Sequence, residues 1–263
     1  MMKTLHDPGV DLSPYTEYKD YPVHMERLNW LVKTIAGERK SSNETVQILD
    51  VGCGTGNITI PLGMVPNSNV VGIDMYQPNI DVVNSRNSLK NVSVVFSRLN
   101  EFDISSFDFI IFTEVLEHIP GYGEILEDLS KRMKKDAQIL ITIPNGRGPF
   151  EFAMQPLYFM RRIGLNGFIG KVKKLLGKKE PYALNQEIDP HVNFFTRKQI
   201  NQDCEKYGFD LLSFEPAFVF SPIMETYTPF ISLKKLAYHD NKLARKLPIW
   251  LASGWYYRLR KKQ

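Results

Sequence analysis

The sequence predicts an α/β fold, a doubly wound and mostly parallel sheet of seven strands with one long insertion after the fifth. Three observations carry this. Short apolar strands alternate with helical segments over the first 145 residues, as a doubly wound sheet requires. The first strand runs into a turn with glycines at alternate positions, Gly52, Gly54 and Gly56. A second apolar strand, Asn69–Met75, carries an acidic residue, Asp74, near its end.

Each element follows from local chemistry. Val46–Val51 is continuously apolar apart from Gln47 and Asp50 and rich in β-branched residues, which reads as a buried parallel strand. The glycines after it let the backbone turn sharply and approach a ligand. Asn57 opens the next element, whose first N–H groups would face that turn. Val92–Phe96 is a third strand and Phe107–Thr113 a fourth. Gly121–Lys135 has apolar residues at Ile125, Leu126, Leu129 and Met133, a helical spacing. Ala137–Ile143 is the fifth strand, stopped by Pro144-Asn-Gly146. Later, Thr196 is placed to cap a helix through Lys206, Gly208 ends it, and Phe209–Phe214 is the next strand.

A strand, a glycine turn and an acidic residue one strand later make a nucleotide-type site. The dinucleotide pattern G-x-G-x-x-G would need its third glycine at position 57, which is Asn57. The segment Asp50-x-Gly52-x-Gly54-x-Gly56 instead resembles the first motif of the class I S-adenosylmethionine (SAM)-dependent methyltransferases. Phe107–Ile119 resembles the fourth-strand motif of a broad branch of that family, which includes quinone O-methyltransferases and enzymes of glycan and lipid modification. The resemblance covers residues 25–145, with a weaker echo to about 216.

That resemblance implies a Rossmann-like sheet, SAM as cofactor, and a set of cofactor contacts. Asp50, Gly52, Cys53, Gly54 and Gly56 would approach the amino-acid end of SAM, Asp74 its ribose, and Met75 its adenine. Thr113 and Glu114 would lie near the sulfonium. Relatives often carry an acidic residue after the third strand to contact adenine. Here Ser97-Arg98-Leu99-Asn100 stands in that place, so the contact passes to Leu99, Asn100 or backbone groups.

The division expected is an N-terminal helical segment (1–45), a SAM-binding core (46–145), a lid or substrate insertion (146–190), and a C-terminal completion of the sheet with a basic tail (191–263). The insertion holds the aromatic run Pro149–Met160 and then Lys171–Lys179. It serves either as a substrate lid over the crevice or as a small apolar satellite core. His191-x-Asn-Phe-Phe-Thr196 resembles the segment by which this branch returns to the sheet. His118 and His191 are the candidate catalytic bases, with Glu114 and Glu117 behind them; for His118 a packing role is the alternative. In quinone O-methyltransferases a triplet matching Glu114, Glu117 and His118 is associated with a divalent metal, and on a helix the three would share a face. Similar triplets occur widely without metal, so none is expected, with Mg²⁺ as the alternative.

Charge and composition bound the rest. The net charge of +4 conceals a local +6 over residues 161–180 and +8 over 234–263. These basic stretches are either solvated helix faces or attractors for an anionic partner. In the tail, Trp250, Trp255, Tyr256 and Tyr257 among cations suit a bilayer interface or a last strand, and the strand is favoured because the resembling enzymes close that way. No run reaches the length of a membrane span, and residues 1–21 lack an apolar signal-peptide core. Cys53 and Cys204 are the two cysteines, read as buried thiols in a reducing compartment. Cytoplasmic residence follows, with peripheral contact at the inner membrane face through the basic tail. The function expected is methyl transfer, most readily to oxygen, on a small-molecule, lipid-linked or sugar-linked acceptor. The rivals are a non-catalytic SAM-binding or membrane-surface protein and a nucleic-acid methyltransferase. The last is disfavoured, since neither an Asn/Asp-Pro-Pro-Tyr/Phe motif nor a catalytic cysteine stands directly after the fourth strand.

Overall fold

Seven strands form one sheet in the order β3-β2-β1-β4-β5-β7-β6. The computed structural model describes residues 22–38, 44–164, 191–227 and 234–262. The strands are β1 (Val46–Val51), β2 (Ser68–Asp74), β3 (Val92–Phe96), β4 (Phe109–Thr113), β5 (Gln138–Pro144), β6 (Phe209–Ala217) and β7 (Gly254–Lys261). The helices are α1 (Pro22–Gly37), α2 (Thr59–Leu62), α3 (Gln77–Arg86), α4 (Tyr122–Arg132), α5 (Pro149–Arg162), α6 (Arg197–Lys206), α7 (Ser221–Tyr227) and α8 (Lys234–Ala244). Strands β1 to β5 run parallel, while β7 is antiparallel to both β5 and β6. The sheet is thus doubly wound, mostly parallel and seven-stranded, as the sequence predicts.

Because β1 to β3 build outward on one side and β4 onward on the other, the order reverses between β1 and β4. Ligands of open α/β sheets bind outside the carboxyl ends of the strands at such a switch point. Strand alternation supplies a core on each face. Ile48 and Tyr256 enter one cluster with Leu28, Leu31 and Ile35 of α1, whereas Leu49 and Tyr257 enter the other with Leu126 and Leu129 of α4. Trp30 of α1 stacks on Tyr256, centroids 4.8 Å apart, and its indole N–H donates to Glu215 at 2.9 Å.

The tail is the strand β7, the reading favoured from the sequence, and it is threaded between β5 and β6, so Trp255, Tyr256 and Tyr257 are buried and unavailable to a bilayer. Its cation Arg258 is taken up by Glu38 at 2.5 Å and Gln138 at 2.6 Å. Other sequence readings are corrected. The element after Asn57 is a single turn, α2, too short to present a helix terminus. Residues Leu116–His118 form a 3₁₀ turn, not an α-helix, so Glu114 does not share a helical face with Glu117 and His118. Thr196 does cap α6, accepting from the Gln199 N–H at 3.3 Å. Lys171–Lys179 lie outside the described residues.

The segment entering α6 is locked against the end of β5. Gly146 N–H donates to Phe195 C=O at 3.0 Å, and a Cβ on Gly146 would meet the Phe194 backbone at 2.3 Å. Backbone cannot yield as a side-chain end can. Gly146→Ala is therefore expected to destabilise the protein by about 2 kcal/mol or more. Urea unfolding followed by circular dichroism would show a lower midpoint with an unchanged slope; an unaltered midpoint would refute the tight packing.

Candidate active site at the carboxyl edge of the sheet

The glycine turn after β1 is welded to the end of β2. Gly52 and Cys53 N–H both donate to Ile73 C=O, at 2.8 and 3.0 Å, and Gly54 N–H donates to Asp74 Oδ2 at 2.8 Å. All three glycines lie at positive φ, +70, +52 and +84°, where a side chain is strained. Their surroundings differ. A Cβ on Gly52 would strike Val115 at 2.8 Å and one on Gly56 would press Val83 at 3.0 Å, but one on Gly54 would meet nothing within 4 Å. Gly52 and Gly56 make room for protein; Gly54 borders open space, the cradle a ligand needs.

Asp74 accepts three N–H groups: Gly54 and the Asn79 side chain (3.2 Å) on Oδ2, and Tyr76 on Oδ1 at 2.8 Å. A carboxylate offers about four acceptor sites, so ribose hydroxyls bound there would compete with the longest bond, that of Asn79. Asp50 lies fully buried behind the turn. Thr59 Oγ1 donates to its Oδ2 at 2.7 Å, and its Oδ1 has no hydrogen-bond partner. Burial pushes its pKa up to about 7, the Thr59 bond opposing and the Asp74 charge adding. Around the turn, Met75 (66% exposed) and Phe96 (56% exposed) leave apolar surface open at the ends of β2 and β3, where a flat heterocycle would be covered on burial. Leu99 is half-buried and Asn100 exposed, in a 3₁₀ turn held by Arg132 through Leu99 and Phe102 C=O at 2.8 and 2.7 Å. Cys53 is buried, and burial drives its thiol far above the ordinary range.

Thr113 ends β4, and Glu114 follows in the left-handed region at φ +55°. That turn swings Glu114 away from the rest of its triplet. Its carboxylate accepts from Thr142 Oγ1 at 2.9 Å and pairs with Arg27 of α1 at 3.2 Å. Glu117, His118 and His191 do converge, with ligand-capable atoms within 4.8 Å of one another. Glu117 C=O accepts the N–H groups of Val192 and Asn193 at 2.8 and 3.0 Å, and the Asn193 amide donates to Leu116 and Ile119 C=O. His191 Nδ1 lies 2.8 Å from Glu151 of α5, and the His118 and His191 rings meet edge to face at 4.9 Å. Glu117 is fully buried, with neither carboxylate oxygen hydrogen-bonded. Burial, and secondarily the charge of Glu114, hold its pKa well above the ordinary carboxylate range.

Sequence reasoning assigned no role to Arg27 or Glu151. Arg27 left no local signal, being one cation of an N-terminal helix. Glu151 did leave one, a lone carboxylate between Phe150 and Phe152. Beside this cluster lies a cavity of about 210 Å³, lined by Val23, His24, Arg27, Glu114, Phe150 and Tyr256 among others. His24 Nε2–H donates to Asn57 C=O at 3.1 Å, and burial with the nearby Arg27 charge lowers its pKa to about 4, leaving it neutral. Another wall, the loop Phe218–Ser221, is pinned by Asp240, which accepts the N–H groups of Val219, Phe220 and Ser221 at 2.8–3.0 Å.

A switch-point crevice, a ligand-facing glycine, an oriented carboxylate and a flanking cavity define a nucleoside-cofactor enzyme fold. The methyltransferase-domain family matches residues 23–213, well over half of the chain, and the chain belongs to that family of class I SAM-dependent methyltransferases. It is 30% identical over 122 residues to the ubiquinone biosynthesis O-methyltransferase of Rickettsia akari, covering 45% of this chain and 48% of that protein. To the mitochondrial ubiquinone biosynthesis O-methyltransferase of Bos taurus it is 29% identical over 142 residues, 51% of this chain and 38% of that one. The chain therefore spans about half or less of the length of these curated relatives. The crystal structure of magnesium protoporphyrin IX methyltransferase from Synechocystis with bound SAH aligns with a TM-score of 0.55 at 12% identity, over 98% of this chain and 90% of that one. A SAM-dependent methyltransferase from Archaeoglobus fulgidus aligns at 0.55 and 17% identity, over 95% and 100%. At such identities the likeness establishes the fold. The open face of Gly54 and the buried Asp50 Oδ1 fit SAM as cofactor.

Two expectations follow. Asp74→Ala should weaken SAM binding by about tenfold or more in calorimetry, the loss of charge-assisted hydrogen bonds; unchanged affinity would remove Asp74 from the site. For Asp50, the folded protein keeps a proton that the unfolded chain releases above its ordinary pKa of 3.8. Stability from this group is thus full below that pH and is lost as pH rises to about 7. Relative to wild type, Asp50→Asn should gain a few kcal/mol across that window; a difference independent of pH would contradict the buried ionisation.

Proposed function

We propose that the chain transfers the methyl group of SAM to an oxygen of a small, largely apolar acceptor held in the cavity beside α1 and α5. The observation that carries this is the contact of His191 with the buried Glu151, next to a cavity at the carboxyl edge of β4 and β5. Phe150, which lines the cavity, precedes Glu151 in sequence, and Glu114, also lining it, begins the turn that carries Glu117 and His118. The relatives named ubiquinone biosynthesis O-methyltransferases support an aromatic hydroxyl as the acceptor class. The lining supports it too, since Val23, Ile143, Pro144, Phe150, Phe218 and Tyr256 offer apolar surface to a ring.

SAM, when bound, supplies an electrophilic methyl on a sulfonium with a good leaving group. The protein's own work is alignment and proton removal. Glu151 holds His191 Nδ1 as the donor nitrogen, which makes Nε2 the basic one, and stabilises the charge the ring gains on taking the acceptor proton. Glu114 and Arg27 neutralise one another at the cavity wall, and Gly54, Asp50 and Asp74 hold the cofactor.

A second reading has its own observation, the buried Glu117 oxygens without hydrogen bonds. Glu117, His118 and His191 would hold a divalent ion, with Glu151 as the outer carboxylate that orients His191, and the ion would polarise the acceptor oxygen. Two imidazoles and one carboxylate suit zinc or another transition ion better than magnesium. This set replaces the Glu114, Glu117, His118 triplet, from which Glu114 is diverted by Arg27.

On a phenolic or catechol acceptor, His191→Ala should lower kcat by about 10²-fold and Glu151→Gln by about tenfold, with SAM affinity unchanged. Elemental analysis of purified protein and of Glu117→Gln separates the readings, since only the second predicts bound metal that the variant loses. Wild-type protein that binds SAM yet methylates no such acceptor would favour the non-catalytic alternative, and a salt-sensitive shift of RNA the nucleic-acid one.

A further inference from the structure

Five polar side chains line the cavity beside α1 and α5: His24, Arg27, Glu114, Ser253 and Tyr256. Four of them are engaged by the protein. His24 meets Asn57 C=O at 3.1 Å, Arg27 and Glu114 pair at 3.2 Å, and Ser253 Oγ donates to Val219 C=O at 2.7 Å. Tyr256 differs. It is 3% exposed, and its hydroxyl has no hydrogen-bond partner among the described residues. Buried hydroxyls are as a rule paired, so one left open beside a cavity is a group kept for a ligand.

The sheet fixes where this phenol stands. Tyr256 lies opposite Thr142 in the ladder between β5 and β7, and directly opposed residues present their side chains on the same face. Thr142 Oγ1 donates to Glu114 at 2.9 Å. Tyr256 and the carboxylate of the cavity wall therefore share the α1 side of the sheet. There the Trp30 ring packs on the phenol, centroids 4.8 Å apart, and Trp30 stands one turn of α1 beyond Arg27. Burial keeps the phenol protonated far above its ordinary range, with the charges of Arg27 and Glu114 acting on it in opposite senses. Tyr256 is a fixed, neutral donor.

The next residue supplies a contrast. Tyr257 also leaves its hydroxyl without a partner among the described residues. It packs instead in the other core, with Leu126 and Leu129, and does not line the cavity. Only in Tyr256 do an open donor and the cavity coincide.

We infer that the Tyr256 hydroxyl donates to a second oxygen of the acceptor, on a ring substituent other than the hydroxyl that is methylated, and so selects oxygenated phenols over alkyl ones. Val23, Ile143, Phe150 and Phe218 offer the ring apolar surface. One donor in a lining otherwise engaged then decides which substituent the site accepts. A phenol with an alkyl group in that place leaves the donor buried and unpaired, and a site built to hydrogen-bond a substrate oxygen rejects the analogue that lacks it. The assignment rests on the methyl-transfer reading.

The test compares ortho- and meta-methoxyphenol with ortho- and meta-ethylphenol, matched in size and differing by one ring-bound oxygen. Wild type, Tyr256→Phe and Tyr257→Phe are assayed with each. Wild type should favour a methoxyphenol over its ethyl partner by about tenfold or more in kcat/KM. Tyr256→Phe should erase that preference, chiefly by slowing the methoxyphenol, and Tyr257→Phe should retain it, with calorimetric SAM binding unchanged in both. Removing a hydroxyl that pairs with nothing should leave the melting temperature of Tyr256→Phe without ligands equal to that of wild type or higher. With methyl transfer intact, the inference is overturned if wild type methylates both members of each pair equally, or if Tyr256→Phe keeps the preference. It is also overturned if that variant melts well below wild type, which would place the hydroxyl in an internal bond. Wild type that binds SAM yet methylates none of the four phenols overturns the methyl-transfer reading and this assignment with it.

Discussion

The tie between the glycine turn and the end of β2 is the constraint on which the site depends. Ile73 C=O holds two N–H groups of the turn and Asp74 holds a third, so the loop cannot shift without leaving buried polar groups unpaired. Such groups cost about 1–3 kcal/mol each. One carboxylate thereby orients both the loop and itself. Its remaining acceptor capacity faces the place where Gly54 has no side chain to fill.

A second clamp works at the far end of the crevice. The carbonyls of Leu116 and Glu117 in the 3₁₀ turn, and of Ile119 just after it, accept from the Val192 and Asn193 N–H groups and the Asn193 side chain, although 74 to 77 residues separate the side-chain partners in sequence. Gly146 admits the same segment against β5. His191 is therefore delivered to His118 and Glu117 by backbone hydrogen bonds, and α5 then brings Glu151 onto it. Chemistry at this end is assembled from three separate pieces of chain. Glu117 is buried within it, and burial together with the charge of Glu114 raises that carboxylate's proton affinity.

Electrostatics divides the molecule's basic charge into spent and available parts. Arg258 and Arg245 close ion pairs with Glu38 and Glu215, tying β7 to the end of α1 and the end of α8 to β6, while Arg132 pairs with Asp128 within α4 and reaches the Leu99 and Phe102 carbonyls. The tail is for that reason structural, despite its composition. Among the described residues, Phe152 and Phe159 of α5, like Met75 and Phe96 beside the glycine turn, are large apolar side chains that folding leaves exposed.

By itself the sequence determined the sheet, the glycine turn, the roles open to Asp50 and Asp74, and the capping Thr196. These are legible because strand and turn chemistry is local, with spacings of a few residues set by backbone geometry. Tertiary structure alone decided that Glu114 serves Arg27 and Thr142, that β7 enters between β5 and β6, and that Glu151 and Arg27 reach the crevice. A left-handed φ at a glutamate carries no sequence signature, since glycine or asparagine is the usual sign of it. Strand order and the meeting of remote side chains likewise follow from packing two apolar faces at once, a condition that no single window of sequence contains.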